Sequence, residues 1–429
     1  MHGWDSGNGD FYLPVVEGPP GTGKTFIGTL AATRYSNESS IPQVTYLCYT
    51  HFAADHALEG LIDFGLSSDR VKRIVDSSQR RRYENSPHAD YYAIINEPES
   101  TPDPQTRQLK RTPILITTII SARKAFFFQR QPLVVFDEYS QVPPHLFYAT
   151  LSKLRYRGKY NPAGYALLGD PNQLPYITSQ RLLRTNIGLY ILNRRPHEPH
   201  QLVTQYRMHP HICQSVNALR RALNTYPLKS HSSTTNKTLE SESKSMGYSY
   251  NESVVPAHLS DIFESNSPCV IINTDGLSGE DEIGWGNSIF NNSEASLAAS
   301  LSTLLHAAYQ KEGKNLEPMI ISPYRAQIGV IKGKLPEAQR KNCISVHQAQ
   351  GREYPCVIIS FTRKNLSGNI GYLNRIRALS YVACSRAEGK LIVLISRSTF
   401  YGRNYTDFNN LIDMSNRAII EDADQSWIE

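Results

Sequence analysis

The segment Gly18-Pro19-Pro20-Gly21-Thr22-Gly23-Lys24-Thr25 fits the spacing G-x-x-x-x-G-K-[ST]. It follows the apolar run Leu13–Val16 and opens a helical stretch, Lys24–Arg34. A strand, a glycine-rich turn and a helix in that order form a phosphate-binding loop. The glycines let backbone N–H groups turn inward around phosphate oxygens, and the helix N-terminus adds a favourable dipole. Lys24 then reaches the terminal phosphates, and the Thr25 hydroxyl binds Mg²⁺. The expected ligand is a nucleoside triphosphate with Mg²⁺.

Phosphoryl transfer also needs a carboxylate on the metal and a group that orients water. Leu133-Val134-Val135-Phe136-Asp137-Glu138 places two adjacent acids at the end of an apolar strand, about 110 residues beyond the loop. In parallel sheets that carboxyl end is where ligands bind. Asp137 is the candidate metal ligand and Glu138 the candidate base. Taken alone, an apolar strand ending in Asp-Glu is commonplace; behind a phosphate loop it signifies triphosphate hydrolysis.

Further apolar runs recur at Val44–Cys48, Ile114–Thr117, Ala166–Gly169, Cys269–Asn273, Met319–Ser322, Val357–Phe361 and Leu391–Ile395. Each is apolar on successive residues, as in strands buried on both faces of a parallel sheet. Helical stretches at Phe52–Ile62, Pro210–Leu223, Ser293–Tyr309 and Tyr324–Lys334 alternate with them. The pattern predicts an α/β protein of two domains, 1–198 and 199–405, with a tail at 406–429. Two polar stretches are expected as insertions, one at 77–112 with the Arg80-Arg81-Arg82 triplet, and a mobile Ser/Thr/Asn-rich one at 225–262.

Composition is consistent with this. The 429 residues carry 45 Lys and Arg against 39 Asp and Glu, a net +6 that permits a polyanionic partner. No apolar run approaches the roughly 18 residues of a membrane span, and the N-terminus has no secretory pattern. Cys48, Cys213, Cys269, Cys343, Cys356 and Cys384 form no C-x-x-C pair. They are expected to be reduced and buried in an intracellular protein, nuclear or cytoplasmic.

Five further segments follow in order: Asp137-Glu138-Tyr139-Ser140-Gln141, Gly169-Asp170-Pro171-Asn172-Gln173-Leu174-Pro175, Gln205-Tyr206-Arg207-Met208-His209-Pro210, Gln350-Gly351-Arg352-Glu353 and Val382-Ala383-Cys384-Ser385-Arg386-Ala387. The series resembles the superfamily 1 helicases, in the branch of the nonsense-mediated-decay RNA helicase and senataxin. The resemblance implies two tandem RecA-like P-loop domains sharing one ATP, with single-stranded RNA or DNA lying across both. It implies that Gln173 senses the γ-phosphate, Tyr206 packs on adenine, Arg207 and Arg386 reach the phosphates, and Glu353 contacts the ribose. It also points to Thr50, Thr117, Thr118 and Ser322-Pro323-Tyr324 as nucleic-acid contacts. Asn291-Asn292-Ser293-Glu294-Ala295 resembles a family segment and equally fits an ordinary helix cap. With 17 residues before Gly18, the upstream glutamine element and small β-barrel of many relatives are not expected in this stretch. An ATP-gated clamp that does not unwind and a scaffold that has lost hydrolysis are the competing expectations.

Overall fold

The computed structural model describes residues 14–38, 43–95, 109, 111–124, 133–156, 164–176, 199–263, 267–312, 314–402, 405–413 and 419–428. The chain divides into two compact units, Met1–Leu202 and Val203–Glu429.

The first unit is built on an eight-stranded sheet whose pairings are all parallel. From one edge its strands run Tyr92–Ile95, Val71–Asp76, Ile114–Thr118, Val44–Cys48, Leu133–Asp137, Gly164–Gly169, Val15–Glu17 and His200–Gln201. The expected apolar runs occupy its centre because continuous β-branched stretches suit burial on both faces. Val44, Tyr46, Ile114, Ile116, Val135 and Leu168 pack together on one face, and Leu47, Val134, Phe136 and Leu167 on the other. Each such side chain contributes about 1.5–3 kcal/mol. The helices Lys24–Glu38 and His51–Asp63 lie against the first of these clusters.

The second unit has a six-stranded parallel sheet in the order Cys343–Ser345, Met319–Ser322, Tyr354–Ser360, Ala387–Ile395, Cys269–Asn273 and Ile419–Asp422. Helix Asn292–Ala308 lies over it, burying Leu297, Leu301 and Leu305 in the main core.

Three boundaries differ from the sequence expectation. The stretch expected as a tail supplies helix Thr406–Ile412, which packs on helix Pro210–Arg221, and the edge strand Ile419–Asp422. Part of the insertion at 77–112 supplies the opposite kind of element, strand Tyr92–Ile95 at the edge of the first sheet; 96–108 lie outside the described residues. The stretch 225–262, largely exposed, is anchored at a few points. Leu239, Leu259, Ile262 and Phe263 are core residues, and Gly389 admits the backbone of Thr238, which a Cβ there would meet at 2.7 Å. A few apolar anchors fix this segment, and a composition averaged over its serines hides them.

Candidate functional site

The phosphate loop is stitched to the sheet before any ligand arrives. Gly18 N–H donates to the Gly169 carbonyl at 2.9 Å, and the Thr22 hydroxyl folds back to the Pro19 carbonyl at 2.7 Å. Gly21 and Gly23 adopt left-handed φ of 76° and 81°, which only glycine takes without strain. A Cβ on Gly18 would meet Lys24 Cγ at 2.4 Å. These are the requirements of a loop that closes its backbone around an anion.

The loop and the two acids come together as expected. The Thr25 hydroxyl donates to Asp137 Oδ2 at 2.9 Å, across 112 residues of sequence. Lys24 Nζ lies 3.4 Å from Glu138 Oε1. Asp137 is buried, also accepts from the Tyr46 hydroxyl at 3.0 Å and from the Glu138 N–H at 2.9 Å. Burial and then the neighbouring Glu138 charge push its carboxyl up to about 6, against the opposing pull of Lys24 and the Thr25 and Tyr46 bonds. A hydroxyl beside a carboxylate is a hard oxygen pair of the kind Mg²⁺ takes, so these residues suit the expected metal.

Glu138 sits at φ 53°, a left-handed conformation uncommon outside glycine. Gln141 Nε2 donates to its Oε2 at 3.2 Å, which fixes the carboxylate plane and leaves Oε1 to Lys24. Strained backbone at a fixed carboxylate is typical of functional positions. Gln173 is buried, its N–H bonded to the Asp170 carbonyl at 3.1 Å in the turn after strand Gly164–Gly169. That strand neighbours the one ending at Asp137. Tyr46 and Gln141 were not assigned from sequence. Tyr46 lies inside an apolar run, where nothing distinguishes a metal-site partner from a core tyrosine.

In the second unit, Gln205 organises the turn that carries Tyr206 and Arg207. Its Oε1 accepts from the Arg207 and Met208 N–H groups at 2.9 and 2.7 Å, and its Nε2 donates to the Met208 carbonyl at 2.8 Å. Tyr206 is thereby turned outward, 49% exposed. Arg207 donates to the Ser385 carbonyl at 3.3 Å and pairs with Glu353. The expected Arg207 and Glu353 therefore meet.

Arg386 differs from expectation. It is only 2% exposed. Its guanidinium donates to the Val382 carbonyl at 2.9 Å, the Arg352 carbonyl at 3.2 Å and Ser385 Oγ at 2.8 Å. It braces the helix end at Ala378–Cys384 and the turn before strand Tyr354–Ser360, so in this conformation its cation faces inward.

Among the expected nucleic-acid contacts, Thr50 is exposed and caps helix His51–Asp63, accepting from Ala53 N–H at 3.1 Å. The side chains of Thr117 and Thr118 are buried, the latter bonded to Ser121 Oγ at 3.0 Å. Ser322 and Tyr324 are buried too, Ser322 Oγ lying 3.2 Å from Thr362 Oγ1. These four side chains are committed to internal contacts, because strand ends in a tightly packed sheet close over their own hydroxyls. Pro323, between two of them, is half-buried. The Arg80–Arg82 triplet is exposed, and Arg82 pairs with Asp55 on the helix that Thr50 caps, at 3.5 Å.

Parallel P-loop sheets with these motifs define a class, the superfamily 1 helicases, and sequence comparison agrees. Two family models, each described as an AAA domain, match residues 12–179 and 180–398, and the chain belongs to that family. Its relatives include the DNA replication ATP-dependent helicase/nuclease DNA2 of Xenopus laevis, 28% identical over 405 residues covering 89% of this chain and 35% of that protein. The Homo sapiens protein of the same name is 27% identical over 403 residues, with the same coverage. The Mus musculus DNA-binding protein SMUBP-2 is 28% identical over 265 residues, 58% of this chain and 23% of its own. The chain spans about a third of the length of the DNA2 relatives.

Proposed function

We propose that the chain is an ATP-driven motor that hydrolyses ATP while bound to a single nucleic-acid strand and uses the cycle to translocate and unwind. The observation that carries this proposal is the convergence of Lys24 and Thr25 on Glu138 and Asp137. Bound Mg²⁺ would supply charge neutralisation at the phosphate oxygens, held by Thr25 and Asp137. Lys24 exchanges its ion pair with Glu138 for the terminal phosphates. That exchange uncovers Glu138 Oε1, which orients the attacking water and takes its proton while Gln141 holds Oε2. Gln173 reports the γ-phosphate, Tyr206 supports adenine and Glu353 the ribose. Arg207 neutralises charge developing on the phosphates. Arg386 joins it only after leaving its inward bonds.

Thr50 and the helix N-terminus behind it suit a backbone phosphate, a contact that positions a strand without reading sequence. The exposed arginines at 80–82 add sequence-independent attraction. The names of the relatives favour DNA as the polymer. ATP turnover measured with single-stranded DNA, single-stranded RNA and no polymer tests hydrolysis and preference together. Displacement of a strand from a tailed duplex separates a helicase from a clamp. No stimulation by either polymer would refute the proposal.

A further inference from the structure

His231 belongs to the segment expected as a mobile loop, and no role above uses it. The backbone carries it to a defined place. Lys229–Ser230 pairs in parallel with Thr204–Gln205, Ser230 lying opposite Gln205. His231 N–H donates to the Gln205 carbonyl at 3.0 Å, and Gln205 Nε2 donates to Ser230 Oγ at 2.9 Å. This ladder sets the His231 and Tyr206 rings side by side, centroids 4.7 Å apart with planes inclined by 36°. His231 is exposed, as Tyr206 is. Its Nδ1 accepts the Ser233 N–H at 3.2 Å and lies 2.9 Å from Ser233 Oγ. That bond anchors the imidazole and assigns the proton of the neutral ring to Nε2.

An exposed tyrosine that must receive a base loses rotamer freedom on binding unless something holds it beforehand. An anchored ring against one of its faces does this and leaves the other face open. We propose that His231 is a positioning residue for the nucleotide base, backing Tyr206 so that the tyrosine presents its free face to adenine. This rests on Tyr206 being the adenine platform. His231 acts through that ring and takes no part in phosphate chemistry.

Steady-state ATPase kinetics of the full chain with saturating single-stranded DNA test it, using ATP and UTP and the variants His231→Asn, His231→Phe and Tyr206→Ala. Asparagine keeps a side-chain acceptor for the Ser233 N–H and removes the ring, whereas phenylalanine keeps the ring and removes the acceptor. His231→Asn should raise the KM for ATP about threefold to tenfold, the worth of one aromatic contact, with kcat within about twofold. His231→Phe, which keeps the ring but not its anchor, should recover part of that loss. The rise should be smaller for UTP, whose pyrimidine offers less stacking area. An unchanged KM in His231→Asn, an equal rise for both nucleotides, or a parallel fall in kcat would each overturn the inference. If Tyr206→Ala raises KM and His231→Asn does not, the inference alone fails. If neither does, the adenine platform itself is wrong.

Discussion

The two units differ in how their charged groups are held. In the first, the side chains of the loop face the two acids: Lys24 pairs with Glu138, the Thr25 hydroxyl donates to Asp137, and the glycine turns are already formed. In the second, the cations are engaged elsewhere. Arg207 pairs with Glu353 and the Ser385 carbonyl, and Arg386 is buried among its own unit's carbonyls. One unit holds its charged side chains against one another, and the other holds its arginines in internal bonds.

The largest effects are expected where the first unit is broken. Glu138→Gln removes the base while keeping the Gln141 contact, and should lower kcat by roughly 10³–10⁴ with ATP still bound. Lys24→Ala should cost a comparable factor and weaken ATP binding as well, read by nucleotide titration. If Glu138→Gln retained more than about a tenth of the wild-type rate, water activation would have to lie elsewhere.

The second unit is sharpened by setting its two arginines against each other. Arg207→Ala should lower kcat by roughly 10²–10³ with little change in Tm, since its bonds lie at a partly open turn. Arg386→Ala empties a buried site and takes a donor from the Val382 and Arg352 carbonyls, so it should also cost about 2–4 kcal/mol of stability, seen by denaturant unfolding. Equal losses of stability in both variants would abolish the distinction. A smaller contrast is expected for the nucleic-acid contacts. Thr50→Ala should weaken binding of a labelled oligonucleotide about threefold to tenfold, and Thr117→Val should leave it within about twofold, because the Thr117 hydroxyl is enclosed.

The same contrast governs how much the sequence revealed. Continuously apolar strands and the phosphate loop were legible, because a strand buried on both faces must be apolar throughout and a phosphate cradle must have glycine at fixed places. The strands Val71–Asp76 and Ile419–Asp422 were missed, since each mixes charged residues into its run and sits toward a sheet edge. That Lys24, Thr25, Asp137 and Glu138 share one site was readable from motif order alone. The inward turn of Arg386 was not, because a motif specifies an arginine and leaves its rotamer to the surrounding carbonyls. Asn291 to Glu294 was ambiguous between a cap and a functional segment. It is a cap, with Asn291 Oδ1 accepting the Glu294 N–H at 2.9 Å, and the glutamate then serves a second purpose.

Glu294 is fully buried, and its Oε1 accepts from Ser360 Oγ at 2.6 Å and from the Thr362 N–H at 2.7 Å. Thr362 has φ 74°, an unfavourable conformation for a β-branched residue, and its hydroxyl contacts Ser322 at the end of strand Met319–Ser322. The carboxyl therefore secures the loop expected to meet nucleic acid. Burial pushes it up to about 7; the two bonds and Lys364 pull it down, and Asp281 pushes it up further. Because the folded value lies above the unfolded one, about 4.5, the stability it contributes is complete below that value and is lost as pH rises through about 7. Glu294→Gln retains an acceptor at Oε1 and carries no charge, so Tm should rise by several degrees at pH 8 and change little at pH 5. Glu388, also pushed up to about 7 by burial and by Glu353, leaves part of the pH slope in the variant. A slope identical to wild type would mean that Glu294 is ionised in the fold, and that Thr362 is held by a charge rather than by a neutral acid.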